Sequence, residues 1–253
     1  MTDFQNFIQK YPVLFKDSVI DESWKPLLAR VFTTKINQLD DIALFLLKDP
    51  HWFPQSNTLW SFTKFCRPAD VKVIIVGQDP SDADATGLAF SKDIGAGIYP
   101  STEIILKEVR NDIGENNLRR FPRNYGNLEY WAKQGVLLLN AALTNCTNKD
   151  NNHLDIGWKG IVIELMKQLQ QVNKNIVFMF WGEHAKGLRG DVKVFRSGKE
   201  NPMYNQNSAG HPSENNKYNS FLGCRHFTKA NRWLVAHGMT PIDWCPVPPE
   251  NSS

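Results

Sequence analysis

Residues 73–91 read VIIVGQDPSDADATGLAFS. The β-branched apolar run over residues 71–77 predicts a short strand buried on both faces, as in a parallel sheet. It stops at Gln78-Asp79-Pro80. Proline cannot donate to a strand ladder, so the stretch ends by presenting a carboxylate at the strand's carboxyl end. The next residue, Ser81, is small and polar.

Three further runs have the same character: residues 135–143, 176–182 and, more weakly, about 203–211. Helical periodicity fills the intervals, over residues 101–113, 127–134, 157–172 and 225–237, the last closed by Gly238. Strands alternating with helices predict an α/β fold with a parallel sheet. In such folds ligands sit at the carboxyl ends of the strands. Those ends carry Gln78-Asp79-Pro80, Asn140, Trp181-Gly182-Glu183-His184 and Gly210-His211-Pro212-Ser213. Alone, an aspartate there reads as a cap, an asparagine as a turn former and a histidine before proline as a loop residue. Together, Asp79, Asn140 and His211 predict an acid, an amide and an imidazole on one edge. Neighbouring Glu183 and His184 are read as surface or structural groups, and the eight tryptophans as core.

The 253 residues suffice for one large domain, at 42% hydrophobic and 22% charged, with a net charge of +3 that suits a nucleic-acid partner without requiring one. The four cysteines, at 66, 146, 224 and 245, are scattered without metal-ligand spacing, so free thiols and no metal are expected. No apolar run is long enough to span a bilayer, and residues 1–12 lack the pattern of a secretory signal. The expectation is a soluble intracellular protein without a membrane partner. Residues 1–20 are expected to form a helical extension, 21–247 the main domain and 248–253 a disordered tail.

The ordered set VKVIIVGQDP (71–80), GLAFS (87–91), YPS (99–101), WAKQGVLLLNAALT (131–144), LDIGW (154–158), VFMFWGEHAK (177–186), GHPS (210–213) and FLGCRHFTKANRWL (221–234) resembles the uracil-DNA glycosylase family. The resemblance implies a single domain built on a central four-stranded parallel sheet flanked by helices. It implies hydrolysis of the N-glycosidic bond of a flipped pyrimidine in DNA by a monomer that needs no cofactor. Residue by residue, it implies that Asp79 positions the attacking water and stabilises the cationic sugar. His211 donates to the pyrimidine O2, the Gln78 backbone holds the same edge, Phe90 stacks on the base and Asn140 reads its polar edge. Pro100-Ser101 and Pro212-Ser213 pinch DNA phosphates. Those side-chain types suit the chemistry, because bond cleavage leaves positive charge on the sugar and negative charge on the base, and the base must leave the stack to be reached.

Three departures qualify that resemblance. The family places a tyrosine after GQDP, against carbon 5 of uracil, where this chain has Ser81. The family's wedge leucine is matched by Asn215, with Tyr218 three residues on. Residues 187–208 form a longer segment carrying Arg189, Lys193, Arg196 and Lys199, which reads equally as a DNA contact or a solvated loop. An open flank beside carbon 5 predicts a 5-substituted substrate, such as the hydroxymethylated or glucosylated pyrimidines of phage DNA, hydrogen-bonded by Ser81, Asp82 or Asp84 and removed in antiviral defence. An ordinary uracil repair enzyme and a non-catalytic DNA-binding scaffold are the alternatives.

Overall fold

In a computed structural model of the chain, the described residues are 3–119, 121–147, 153–192, 206–209, 211–212 and 221–249. The strands in chain order are β1 (Trp52–Phe53), β2 (Val73–Gly77), β3 (Val136–Asn140), β4 (Asn145–Cys146), β5 (Val177–Trp181) and β6 (Gln206–Ala209). Four of them form one parallel sheet in the order β3-β2-β5-β6. The quoted stretch thus supplies an inner strand, and every residue of β2 is buried. β1 and β4 make a separate antiparallel ribbon, with Phe53 opposite Asn145 and Trp52 opposite Cys146.

The apolar runs mark the right places but overstate the strand lengths. Gly135 stands outside β3 because its φ of +96° departs from extended geometry, and a β-carbon there would lie 2.2 Å from the Asp70 carbonyl oxygen. After Asn140 the chain bends, yet the Ala141 and Ala142 amides still donate to the Gly77 and Gln78 carbonyls at 3.1 and 2.9 Å. In the fourth run the described residues form strand over Gln206–Ala209, while residues 203–205 and 210 lie outside the described set.

The helix Pro100–Ile113 starts with proline, whose missing amide hydrogen costs nothing in a first turn. The helix Trp158–Val172 buries Ile161, Val162, Leu165, Met166 and Leu169. The last helix, His226–Ala236, begins one residue later than its periodicity suggests, because Arg225 takes a left-handed φ of +55°. Acidic groups of the Pro100–Ile113 helix hold its entry. Glu108 accepts from the Gly223 and Arg225 amides at 2.6 and 3.0 Å, and Asp112 accepts from the Thr228 amide at 2.8 Å. Near the amino terminus, Phe4, Tyr11, Leu14 and Phe15 join the same hydrophobic cluster as the sheet.

From β2 the chain crosses to β3 on one side, and from β3 it crosses back over β2 to β5 on the other. With right-handed crossovers the two connections lie on opposite faces, so the crevice between them opens over the carboxyl end of β2. Trp24, Trp60, Trp131, Trp158, Trp181 and Trp244 are buried in the core. Among the described residues, no helix is long and apolar enough to cross a membrane.

Ile75, at the centre of β2, has no exposed surface. Ile75→Ala is therefore expected to lower unfolding free energy by about 2–5 kcal/mol, read from the midpoint of urea unfolding.

Candidate active site

Asp79 leaves the sheet two residues beyond β2. Asn140 ends β3 in register with Gly77, and Gly182 directly follows β5. A β-carbon on Gly77 would lie 2.6 Å from Asn140 Oδ1 and 2.9 Å from Phe90 Cζ. Only glycine lets the amide and the aromatic ring approach the strand end this closely. Phe90 reaches that point through a left-handed backbone, φ +67°, uncommon for a bulky residue. Its neighbourhood holds it there. The Ala89 amide donates to Leu138 O at 3.2 Å, the Thr102 hydroxyl donates to the Phe90 carbonyl, and the Phe90 ring packs 5.6 Å from Trp181.

A cavity of about 20 Å³ lies here, lined by Asp79, Ser81, Phe90, Tyr99 and Asn140 among others. That is room for roughly one water. Gln78 and His211 stand outside its lining. His211, two residues past β6, lies against the strand end next to β2: a β-carbon on Gly182 would meet its Cβ and Cδ2 at 3.2 Å. Pro212 is buried, Pro100 is exposed at the start of its helix, and Ser101 is half-buried beside it. Ser213, Asn215, Tyr218 and residues 193–205 lie outside the described residues.

Burial pushes the Asp79 carboxyl above its ordinary value, opposed by the His184 imidazole and by a hydrogen bond from the Gln78 side chain. Burial pulls the His211 imidazole below its ordinary value, and His184 adds to that shift. His184 is exposed, as its sequence context suggests. Yet its field reaches both Asp79 and His211, a proximity that adjacency to Glu183 did not reveal.

Two other groups escaped the sequence reading. Asn145 Nδ2 donates to Asp79 Oδ2 at 2.7 Å. The Tyr99 hydroxyl donates to Asp82 Oδ1 at 2.7 Å, while Lys92 Nζ lies 3.3 Å from Asp82 Oδ2 and 4.5 Å from the centre of the Tyr99 ring. Asp82 also accepts from the Asp84 amide at 3.1 Å. Asp82 thus anchors the wall of the cavity through Tyr99 and Lys92. Asp84 lines a different pocket, which leaves Ser81 as the one of the three that lines this cavity. No signal of spacing could have joined Asp82, Lys92 and Tyr99.

Scattered cysteines gave no metal pattern, but the fold gathers Asp49, Cys146 and His153, with candidate ligand atoms within 4.8 Å of one another. Both ring nitrogens of His153 have partners: Nδ1 meets Thr144 Oγ1 at 2.8 Å and Nε2 faces Asp49 Oδ2 at 3.4 Å. Trp158 Nε1 donates to the same Thr144 oxygen at 2.7 Å, so the Thr144 hydrogen points to Nδ1 and the ring hydrogen to Asp49. The cluster is accounted for as a buried hydrogen-bond network.

A family model described as "Uracil DNA glycosylase superfamily" matches residues 63–235. Relatives named "Uracil-DNA glycosylase" from Escherichia coli O157:H7 and Shigella dysenteriae serotype 1 are each 37% identical over 203 residues, covering 79% of this chain and 83% of theirs. The crystal structure of mimivirus uracil-DNA glycosylase superposes with a TM-score of 0.71 at 22% identity, covering 94% of this chain and 93% of that one. The wild-type structure from Nitratifractor salsuginis superposes with 0.60 at 20% identity, over 92% and 96%. At those identities the two structures attest the fold.

Gly77→Ala is expected to displace the Asn140 amide and the Phe90 ring, since both are side chains able to yield while the strand is not. The cost should be about 1–3 kcal/mol, seen as a lowered thermal midpoint together with shifted positions for those two side chains in a crystal structure.

Proposed function

The chain belongs to the uracil-DNA glycosylase superfamily and is a hydrolytic DNA N-glycosylase, and we propose that its catalytic groups are Asp79 and His211, acting on a pyrimidine swung out of DNA. The observation that carries this reading is the meeting of Asp79, Asn140 and Phe90 around one cavity, with His211 held against the neighbouring strand end.

In this reading the C1′–N bond breaks with its electron pair passing to the base. The Asp79 carboxylate faces the cationic sugar and aligns a water, whose oxygen bonds to C1′ and whose proton leaves through Asp79 to solvent. Neutral His211 donates an N–H to the pyrimidine O2, where negative charge gathers. The Gln78 backbone shares that edge, Phe90 stacks on the ring and the Asn140 amide reads its polar edge. Pro100, Ser101, Pro212, Ser213 and Asn215 meet the DNA. An imidazole pulled below its ordinary value suits the donor role, because it is neutral at pH 7. The unit is residues 21–247, with 1–20 an added helical segment and 248–253 a tail. It acts as an intracellular monomer.

The first reading of the substrate is uracil, supported by the relatives named for it and by Tyr99, which lines the cavity together with Ser81. A second reading, removal of a hydroxymethylated or glucosylated pyrimidine in antiviral defence, is favoured by Ser81 itself, a short side chain at the cavity's exposed lip. Abasic-site formation on DNAs carrying uracil, thymine, 5-hydroxymethyluracil, 5-hydroxymethylcytosine or its glucosylated form separates the two. Release from none of them favours a DNA-binding scaffold.

Asp79→Asn should cut release by about 100-fold or more while sparing DNA binding, and His211→Ala by about 100- to 1,000-fold. Tyr99→Ala should open the cavity and raise release of 5-substituted bases relative to uracil by about tenfold or more, in competition assays. The rate–pH profile should have its acid limb below 6.5, the ordinary imidazole value, since His211 takes its proton only below that. The limb should lie above 3.8, the ordinary carboxylate value, since Asp79 is protonated before that pH is reached.

A further inference from the structure

We propose that Asn145 is a positioning residue for base release, its side-chain amide fixing the orientation of the Asp79 carboxylate. The inference rests on the role proposed for Asp79. Asn145 Nδ2 donates to Asp79 Oδ2 at 2.7 Å and to the Pro80 carbonyl at 3.1 Å, while its Oδ1 accepts from the Cys146 amide at 2.9 Å. Two acceptors at one end and a donor at the other fix which end is nitrogen. The terminal torsion of an aspartate is soft. A donor held on one oxygen sets the plane of the carboxylate and so the direction in which the other oxygen faces.

The amide is itself held. Asn145 pairs with Phe53 and Cys146 with Trp52 in the β1–β4 ribbon. On the other side, Thr144 is tied to His153 and to Trp158. Trp158 and His153 are buried, and His153 also faces Asp49. The buried Asp49–His153–Thr144–Trp158 network thus gains a purpose: it clamps the backbone that carries Asn145. Such support is what keeps a polar group within the small tolerance that orientation demands.

A donor on the ionised carboxylate also favours that form, against burial. The other groups that act on Asp79 are His184, from the short helix Glu183–Gly187 that follows β5, and the neighbouring Gln78 side chain. Neither is held on the ribbon, so removing Asn145 leaves the carboxylate both less fixed and more readily protonated.

The test is single-turnover base release from uracil-containing DNA across about pH 4 to 8, with DNA affinity and thermal midpoint measured on the same proteins. Asn145→Ala should lower the plateau rate roughly 10- to 100-fold, the range for a lost hydrogen bond to a charged group. DNA affinity should be retained and the acid limb should move to higher pH. Asn145→Asp should move that limb further, since two adjacent carboxylates resist joint ionisation. In an Asp79→Asn background, Asn145→Ala should cost no further rate. An unchanged rate and pH profile, an additive loss in that background, or a rate loss with a lowered thermal midpoint and an unmoved acid limb would each overturn the inference. Absence of base release by the unsubstituted protein, from uracil and from the 5-substituted DNAs alike, overturns the proposed function and this inference with it. An active parent with an insensitive Asn145→Ala overturns only this one.

Discussion

Gly77 is the constraint on which the rest depends. It is the last residue of the inner strand β2, opposite Asn140 in register, and the space a β-carbon would fill is taken by the Asn140 amide and the Phe90 ring. Everything that gives the site its composition follows from this approach. β2 must be apolar because it is buried, it must end in glycine because two side chains converge there, and the next turn must begin at once so that Asp79 shares the cavity with them. Phe90 tolerates a left-handed backbone for the same reason. A strained torsion of this kind persists only where surrounding bonds over-determine it, and here Thr102, Leu138 and Trp181 do so.

The environment of Asp79 is a balance between burial and donors. A more exposed carboxylate would ionise readily but would be screened by solvent, weakening its field on a developing cation. A more deeply buried one would hold its proton. The structure lies between these limits: the group is half-buried, and Asn145, the Gln78 side chain and His184 all favour the charged form. His184 works in opposite senses on its two neighbours. It favours the anion at Asp79 and disfavours the cation at His211.

Long-range order was legible in the sequence wherever the signal was a buried apolar run. The four strands of the parallel sheet, their order along the chain and the polar residues at their ends all follow from hydrophobic runs and punctuation by glycine and proline. What stayed hidden had no periodicity to betray it. The β1–β4 ribbon is two residues per strand, too short for any alternation, and joins positions more than ninety residues apart. Asn145 follows the end of an apolar run, where asparagine reads as a turn former. Its meaning comes from a partner sixty-six residues earlier. Strand ends were misplaced where one residue's backbone decided them, as at Gly135 and at the bend after Asn140.

The cavity wall shows how a fold can meet one requirement from another direction. Ser81 lines the cavity with a short, exposed side chain. Asp82, the very next residue, receives the hydroxyl of Tyr99 and the ammonium of Lys92, and that ammonium lies over the same aromatic ring. A phenol bonded at its tip and covered on its face by a cation has little freedom to swing aside. The ring comes from the amino-terminal approach of the Pro100–Ile113 helix, and its anchor comes from the turn after Pro80. Moving the turn would therefore move the wall, so the width of the cavity and the position of Asp79 are tied through three residues of backbone. Ser81 and Tyr99 line the same cavity, so the residue after Pro80 and the ring that Asp82 holds border one space.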